Sequence, residues 1–248
     1  MKFSHSRVDT YVRCPYKYYL KYIKNLRSLD NYTADNPLKI GTMLHTAIEK
    51  DLDIATKEYY DSCPIITDEH ITETLKIEVL LPRVKKMLPV GEHEVKIETD
   101  YFIGFIDLLV PIDEDTYDLY DFKYSNNINS YLKSGQLHGY KYFFEKTNPG
   151  KKIRKLYYLF VPKSKLRVKK NEDIYQFRQR VIQDLQMKKV QLIEVEYDRT
   201  KVITFFNNAI KCSNARCYPK APSDLCNFCE YKKYCLDEID YEITRGGY

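Results

Sequence analysis

At 248 residues, 44% of them hydrophobic and 30% charged, the chain can bury a sizeable core, and one domain with appendages is the expected organisation. No apolar run approaches bilayer-spanning length and residues 1–6 lack a signal-peptide core, so the sequence argues against a membrane protein and reads as cytoplasmic. Lys and Arg exceed Asp and Glu by 40 to 35, a mild excess that permits a polyanionic partner; seven Cys in such a chain argue against a disulfide framework and towards metal binding or free thiols.

Ser4 or Ser6 is placed to cap a first helix, which Cys14-Pro15 interrupts before a helical period resumes over residues 16–23. A looser segment, 27–37, follows. Residues 40–59 are predicted as one helix that buries Leu44, Ala47, Ile48, Leu52 and Ile54 or Ala55, with His45 and Glu49 one turn apart on a shared face. Gly41 is small enough to let another backbone approach closely. Beyond the Cys63-Pro64 break, where Cys63 reads as a buried or free thiol, residues 68–88 form a second helix. Residues 92–99 alternate polar and apolar side chains as a half-exposed strand that feeds the central hairpin; an approach of Glu94 or Glu98 to the acidic positions of that hairpin is the alternative to solvated strand positions, which explain them better.

Residues 101–125 read as a β-hairpin: two runs rich in aromatic and branched residues flank residues 111–115, whose Pro and acidic side chains suit a turn. Folding back near Glu114 sets Asp107 opposite Asp121, with Cβ atoms about 4.5 to 5.5 Å apart on one face, and puts Lys123 on that same face. Opposed carboxylates repel and strands are poor in Asp, so a counter-charge is required. A divalent cation supplies one, because Mg²⁺ and Mn²⁺ favour oxygen ligands; a neighbouring Lys can position water and steady charge on a phosphate. The bland alternative is a solvated hairpin with polar outer positions.

Residues 130–146 are expected as a helix with Gln136 and Tyr140 on one face, both able to hydrogen-bond a phosphate or a metal's ligand shell. Residues 151–170 hold nine Lys or Arg and no acid, interleaved with Tyr157, Tyr158 and Phe160. A strand over 153–162 running into a basic loop would suit a phosphate backbone, with aromatics to stack on bases. A helix over 172–189, a strand over 190–197 and a helix over 200–211 complete the expected elements. Cys226-x2-Cys229-x5-Cys235 then lets thiolates converge on one metal centre, with Cys14 or Cys217 as fourth ligand. Zinc competes with iron–sulfur, although structural zinc sites more often draw their Cys from two close couples. Inert thiols fit three Cys in ten residues poorly.

Taken together, Gly41-Thr-Met-Leu-His45, Asp107 after Gly104-Phe-Ile, Asp121-Phe122-Lys123 and Gln136-Leu-His-Gly-Tyr140 resemble, in order, the motifs of the RecB-like branch of the PD-(D/E)XK nuclease superfamily. Residues 6–19 and the one-plus-three Cys pattern are similar to the iron–sulfur staple of CRISPR-adaptation nucleases and AddB-type helicase–nuclease subunits. The resemblance runs from Cys14 to Cys235. It implies an α/β fold with a restriction-endonuclease-like core, a central mixed sheet flanked by helices. The chain would be a single nuclease domain over 1–248, with its core at about 38–211 and an iron–sulfur lobe from about 1–26 and 212–248. It further implies that His45, Asp107, Asp121 and the Phe122 carbonyl ligate Mg²⁺ or Mn²⁺, and that Asp107, Asp121 and Lys123 are the catalytic set. Gln136 and Tyr140 would hold the nucleic acid, and Cys14, Cys226, Cys229 and Cys235 a 4Fe–4S cluster. The activity so implied is a metal-dependent DNA exonuclease on single strands or ends, in recombination or repair, with a helicase, integrase or recombination partner. Two readings stay open beside it: a CRISPR-adaptation nuclease that trims DNA, and a catalytically idle iron–sulfur module that binds DNA ends.

Overall fold

The computed structural model describes residues 2–28 and 32–236. Its centre is the hairpin of β2 (Ile103–Pro111) and β3 (Thr116–Tyr124), closed where Ile112 N–H donates to Thr116 O at 2.8 Å and the Asp113 carboxylate accepts from Asp115 N–H at 3.1 Å. Antiparallel to β2 runs β1 (Glu92–Glu98), while β4 (Lys152–Val161) lies parallel to β3 and β5 (Gln191–Val195) antiparallel to β4. The five-stranded mixed sheet therefore has the order β1-β2-β3-β4-β5. Its one parallel step needs a long crossover. That crossover is helical, made of α6 (Ile128–Leu132) and α7 (Gln136–Thr147).

The first helix, α1 (His5–Arg13), begins at Ser4, whose Oγ accepts from Arg7 N–H at 3.2 Å. It ends at Cys14, which also caps α2 (Pro15–Tyr18); Pro15 sits where a missing N–H costs nothing. A π-helical turn (Tyr19–Ile23) continues α2. The single helix expected over 40–59 is two, α3 (Pro37–Glu49) and α4 (Leu52–Asp61), because the Asp51 carboxylate accepts from Ile54 N–H at 2.7 Å and starts a new helix. Likewise the helix expected over 130–146 breaks at Ser134-Gly135, where Ser134 Oγ accepts from Gln136 N–H at 3.2 Å. Three longer helices, α5 (Asp68–Met87), α8 (Ile174–Met187) and α9 (Arg199–Asn214), fall close to their expected places; a 3-10 turn (Asp224–Phe228) and α10 (Lys232–Leu236) follow. Among the described residues no helix is long and apolar enough to cross a membrane.

Two apolar layers sandwich the sheet. Beneath α3, α4, α5 and α8, Leu108, Val110, Tyr120, Phe122, Leu159 and Val161 are buried against Leu44, Ala47, Ile77 and Val181. On the other layer α1, α7 and α9 cover Ile97, Phe102, Ile106, Leu109, Leu119, Tyr158 and Phe160. A third, smaller cluster of Leu20, Leu26, Tyr231 and Tyr234 binds the two terminal segments to each other. Polar contacts reinforce it, with Tyr231 Oη donating to Leu26 O at 3.0 Å, Tyr16 N–H to Pro219 O at 3.2 Å and Lys17 Nζ to Glu230 at 2.8 Å.

The ring of Phe143 is fully buried and stacks on Phe102 with centroids 3.8 Å apart, which seats α7 on β2. Phe143→Ala should lower the unfolding free energy by about 3–5 kcal/mol, as large aromatic deletions in tight cores do. Urea denaturation checks this, and a loss under about 1 kcal/mol would mean that the α7 layer packs independently of that stack.

Candidate active site

The β2–β3 ladder runs from Pro111↔Tyr117 to Leu108↔Tyr120 and stops one residue short of Asp107 and Asp121. The register is the one expected from the turn, but at the carboxylates the strands part into a fork instead of pairing. A residue's N–H and C=O leave a strand on the same edge, and both of those on Phe122 point into the fork. The N–H donates to Asp107 Oδ2 at 2.6 Å, and the carbonyl oxygen lies 3.3 Å from His45 Nε2. Asp107 is thus held by a backbone amide in place of a strand partner.

On the opposite edge of β2 the ladder is interrupted at the same level. Pairing skips from His93↔Leu108 to Val95↔Ile106, leaving Glu94 across from Asp107 with a φ of 52°. A left-handed Glu inside a strand is strained, by roughly 1–3 kcal/mol. The interruption also changes which face each side chain takes: Ile106 packs beneath α7 and Leu108 beneath α3, although strict alternation puts both on one face. Asp107 sits at that turning point.

Into this gap α3 delivers His45, with Nδ1 3.6 Å from Asp107 Oδ1 and 3.9 Å from Glu94 Oε1. One ligand atom from each of His45, Glu94 and Asp107 falls within 4.8 Å of the other two. Burial works to lower the His45 pKa, but the Glu94, Asp107 and Asp121 carboxylates outweigh it and raise the pKa. Burial, and then the charge of Asp121, push the Asp107 pKa up to about 7. Beside this trio Asp121, only 1% exposed, pairs with the Lys123 ammonium. Apart from that ammonium neither Asp121 oxygen has a hydrogen-bond partner. Burial opposes charge on Lys123 as well, yet Asp121 and Asp107 raise its pKa and keep it an ammonium ion. Its cation also faces the Tyr131 and Tyr158 rings at 5.5 and 5.8 Å. Two buried carboxylates, one of them with no donor but the Lys123 ammonium, together with one imidazole and one carbonyl, fit a hard divalent cation.

A profile of the PD-(D/E)XK nuclease superfamily matches residues 2–236. The chain belongs to that superfamily. Its fold is similar to that of a protein from Eubacterium rectale designated a candidate exonuclease, with a TM-score of 0.60 at 13% identity over 93% of this chain and 87% of that one. A phage-related exonuclease from Haemophilus somnus matches over 77% of this chain and 94% of its own, at 13% identity and a TM-score of 0.37. No curated protein sequence matches the chain.

In this PD-(D/E)XK nuclease the structure brings His45, Asp107, Asp121, the Phe122 carbonyl and Lys123 together at the fork. Gln136 and Tyr140 adjoin them: Gln136 Nε2 donates to Tyr140 Oη at 3.0 Å, and the nearby Asp121 and Asp107 charges add to burial in raising the Tyr140 pKa. Gly104 makes that approach feasible, since a Cβ there would lie 2.7 Å from the Tyr140 ring. Gly41 does not have the role expected of it; a Cβ added there would meet nothing within 4 Å. Sequence reasoning passed over Glu94 as a solvated strand position. The missed signal was a second reflection: folding the chain about Asp100 and Tyr101 sets Glu94 against Asp107, as folding about Glu114 sets Asp107 against Asp121. The basic run also divides. Arg154 pairs with Asp118 at 2.7 Å and Lys155 with Glu194 at 2.8 Å, in the part of β3 and β4 that precedes the fork. Only the cations from Lys163 onward follow the end of β4 nearer the site.

Away from the fork, Cys14, Cys226, Cys229 and Cys235 line one cavity of about 160 Å³, closed by Tyr16, Leu20 and Tyr231. Cys14 Sγ accepts from Lys17 N–H and Cys226 Sγ from Ser223 N–H, each at 3.4 Å. Cys217 is exposed and Cys212 is buried, and neither lines the cavity.

Raised pKa values fix the sign of a pH effect. A folded-state pKa above the unfolded one means that the fold holds a proton the unfolded chain has already lost, so these groups favour folding at low pH. For Asp107 that contribution is lost as pH climbs from about 4, the unfolded value, to about 7. The raised His45 pKa works in the same direction, and a bound cation replaces both protons. Mn²⁺ should therefore raise the melting temperature by several degrees at pH 8 and by clearly less at pH 5.5; equal shifts in thermal melts would contradict this. Glu94→Gly, which relieves the left-handed strain and removes one carboxylate, should leave the unfolding free energy within about 1 kcal/mol while weakening Mn²⁺ binding roughly tenfold by calorimetry.

Proposed function

We propose that this nuclease is a divalent-metal-dependent DNA exonuclease of the RecB-like branch, acting on single strands or DNA ends, with a 4Fe–4S cluster tying its terminal segments. The observation that carries the reading is the convergence of His45, Glu94 and Asp107 at the fork, with the Phe122 carbonyl 3.3 Å from the other imidazole nitrogen and the Asp121–Lys123 pair beside them. His45, Asp107, Asp121 and the Phe122 carbonyl would hold Mg²⁺ or Mn²⁺, and Glu94, ranked in the sequence as a solvated position first, would add a ligand. The bound ion supplies Lewis-acid polarisation of the scissile phosphate and a more acidic water. Lys123, kept charged by Asp121, orients the attacking water and steadies the negative charge building on the phosphate. Phe122 N–H fixes Asp107, so that carboxylate needs no reorganisation during reaction. Gln136 and Tyr140 position the strand. The exonuclease designation of the similar Eubacterium rectale protein is in keeping with this reading.

For the thiols, the one-plus-three pattern of Cys14 with Cys226, Cys229 and Cys235, all lining one cavity, supports the cluster. The lobe formed by residues 1–26 and 212–248 then closes on a core at about 38–211, all one domain; residues 237–248 lie outside the described residues. An idle end-binding module would have no use for Asp107 and Asp121 buried side by side.

Protein purified without oxygen should show broad visible absorption and about four iron atoms per chain. Cys14→Ser should lose the iron and Cys217→Ser keep it; zinc in place of iron would defeat the assignment. Release of nucleotides from labelled single-stranded DNA with Mn²⁺ should fall on the order of a hundredfold or more in Asp107→Ala, Asp121→Ala and Lys123→Ala, with circular dichroism unchanged. Undiminished hydrolysis in any of the three would remove that residue from the catalytic set.

A further inference from the structure

Next to the fork lies a cleft of about 870 Å³. One wall is α1 and the facing wall α9, with residues 125–136 between them. The cleft leads to the proposed catalytic groups. Tyr131 lines it with its ring 5.5 Å from Lys123 Nζ, and Gln136, also in the lining, hydrogen-bonds Tyr140. His5 reaches in from the first turn of α1, stacked on Phe205 at 6.4 Å, with Nε2 3.5 Å from Ser134 Oγ. Burial lowers the His5 pKa, so the ring is uncharged at neutral pH, and Lys123 and Asp121 are near enough to be felt there.

Charge and ring placement say what such a cleft accepts. Arg13, Lys133 and Lys201 lie along it against a single acid, Asp9, and the remaining polar lining is hydroxyl and amide groups. Asp9 is committed to Arg13 at 2.8 Å, and Lys201 donates to Leu132 O at 2.9 Å, so Lys133, exposed at the rim, is the cation best placed for an incoming anion. A positive groove with an aromatic face is how sequence-tolerant proteins hold an unpaired strand, because each base has a π-face to stack while the cations track the phosphates. Paired bases in a duplex have both faces already covered.

We propose that the cleft between α1 and α9 is the seat of a single-stranded DNA segment a few nucleotides long, with its backbone at Lys133, a base against Tyr131 and its leading phosphate passing Gln136 to Lys123. This rests on the nuclease reading of the fork, and it gives that site its selectivity: the strand must be unpaired before it reaches the carboxylates. His5 and Ser134 then face the strand from the cleft's inner wall as neutral hydrogen-bonding groups.

The test uses the full-length, anaerobically purified protein carrying Asp121→Asn to prevent cleavage, with fluorescein-labelled single-stranded DNA and the matched blunt duplex in anisotropy titrations. Tyr131→Leu should weaken single-strand binding by roughly fivefold or more, with Tyr131→Phe restoring it. Lys133→Glu should also weaken it and lower the slope of log K against log salt by about 0.7 or more, while duplex binding stays unchanged for both. Wild-type single-strand affinity in both Tyr131→Leu and Lys133→Glu, or equal losses on duplex, would overturn the proposal. If protein with Asp121 intact hydrolyses no DNA while the binding variants still show these losses, the catalytic reading falls and the cleft stands.

Discussion

Three adjacent strands each place a carboxylate at one level of the sheet, and no regular ladder can hold them there. Glu94, Asp107 and Asp121 would stand side by side at strand spacing, where like charges in a low-dielectric layer repel. The fold accommodates them by giving up pairing on both edges of Asp107. Towards β3 the strands fork and a backbone N–H takes the carboxylate. Towards β1 the chain turns left-handed at Glu94 and the ladder skips a pair. Every other feature of the site follows from this opening: room for His45 from α3 on one side, for Lys123 and Tyr140 on the other, and a change of layer between Ile106 and Leu108.

Much of this was legible because turn chemistry fixes register. Pro111 and the acidic residues after it mark the turn, and the alternation on either side leaves little freedom in how Asp107 and Asp121 align. What could not be read was that alignment would end in separation, since separation comes from repulsion between side chains and not from local propensity. Glu94 was hidden for a related reason. In a polar-apolar alternation an acid reads as solvent-facing, and only the tertiary interruption turns it toward His45. Helix ends failed differently: Asp51 and the Ser134-Gly135 pair are short-range signals, overridden in the sequence reading by an apolar period that runs across them.

The described terminal segments meet through Leu20, Tyr231 and a cavity lined by four thiols, and α1 runs from the edge of that cavity to the cleft. Its last residue abuts Cys14, and its first turn carries His5 into the cleft beside Lys123. One nine-residue helix therefore fixes the distance between the thiol-lined cavity and the cleft beside Lys123.

Position 122 carries a different kind of consequence. Its side chain is core, packed beneath α3 against His45 and His93, while its amide and carbonyl both open toward the acids. Whatever residue occupied the position, the main chain would go on offering the same two groups, so the chemistry there is indifferent to spelling. Proline is the exception: it would preserve the oxygen that faces the imidazole and delete the hydrogen beneath Asp107, separating in one substitution two roles that a single peptide unit otherwise keeps together.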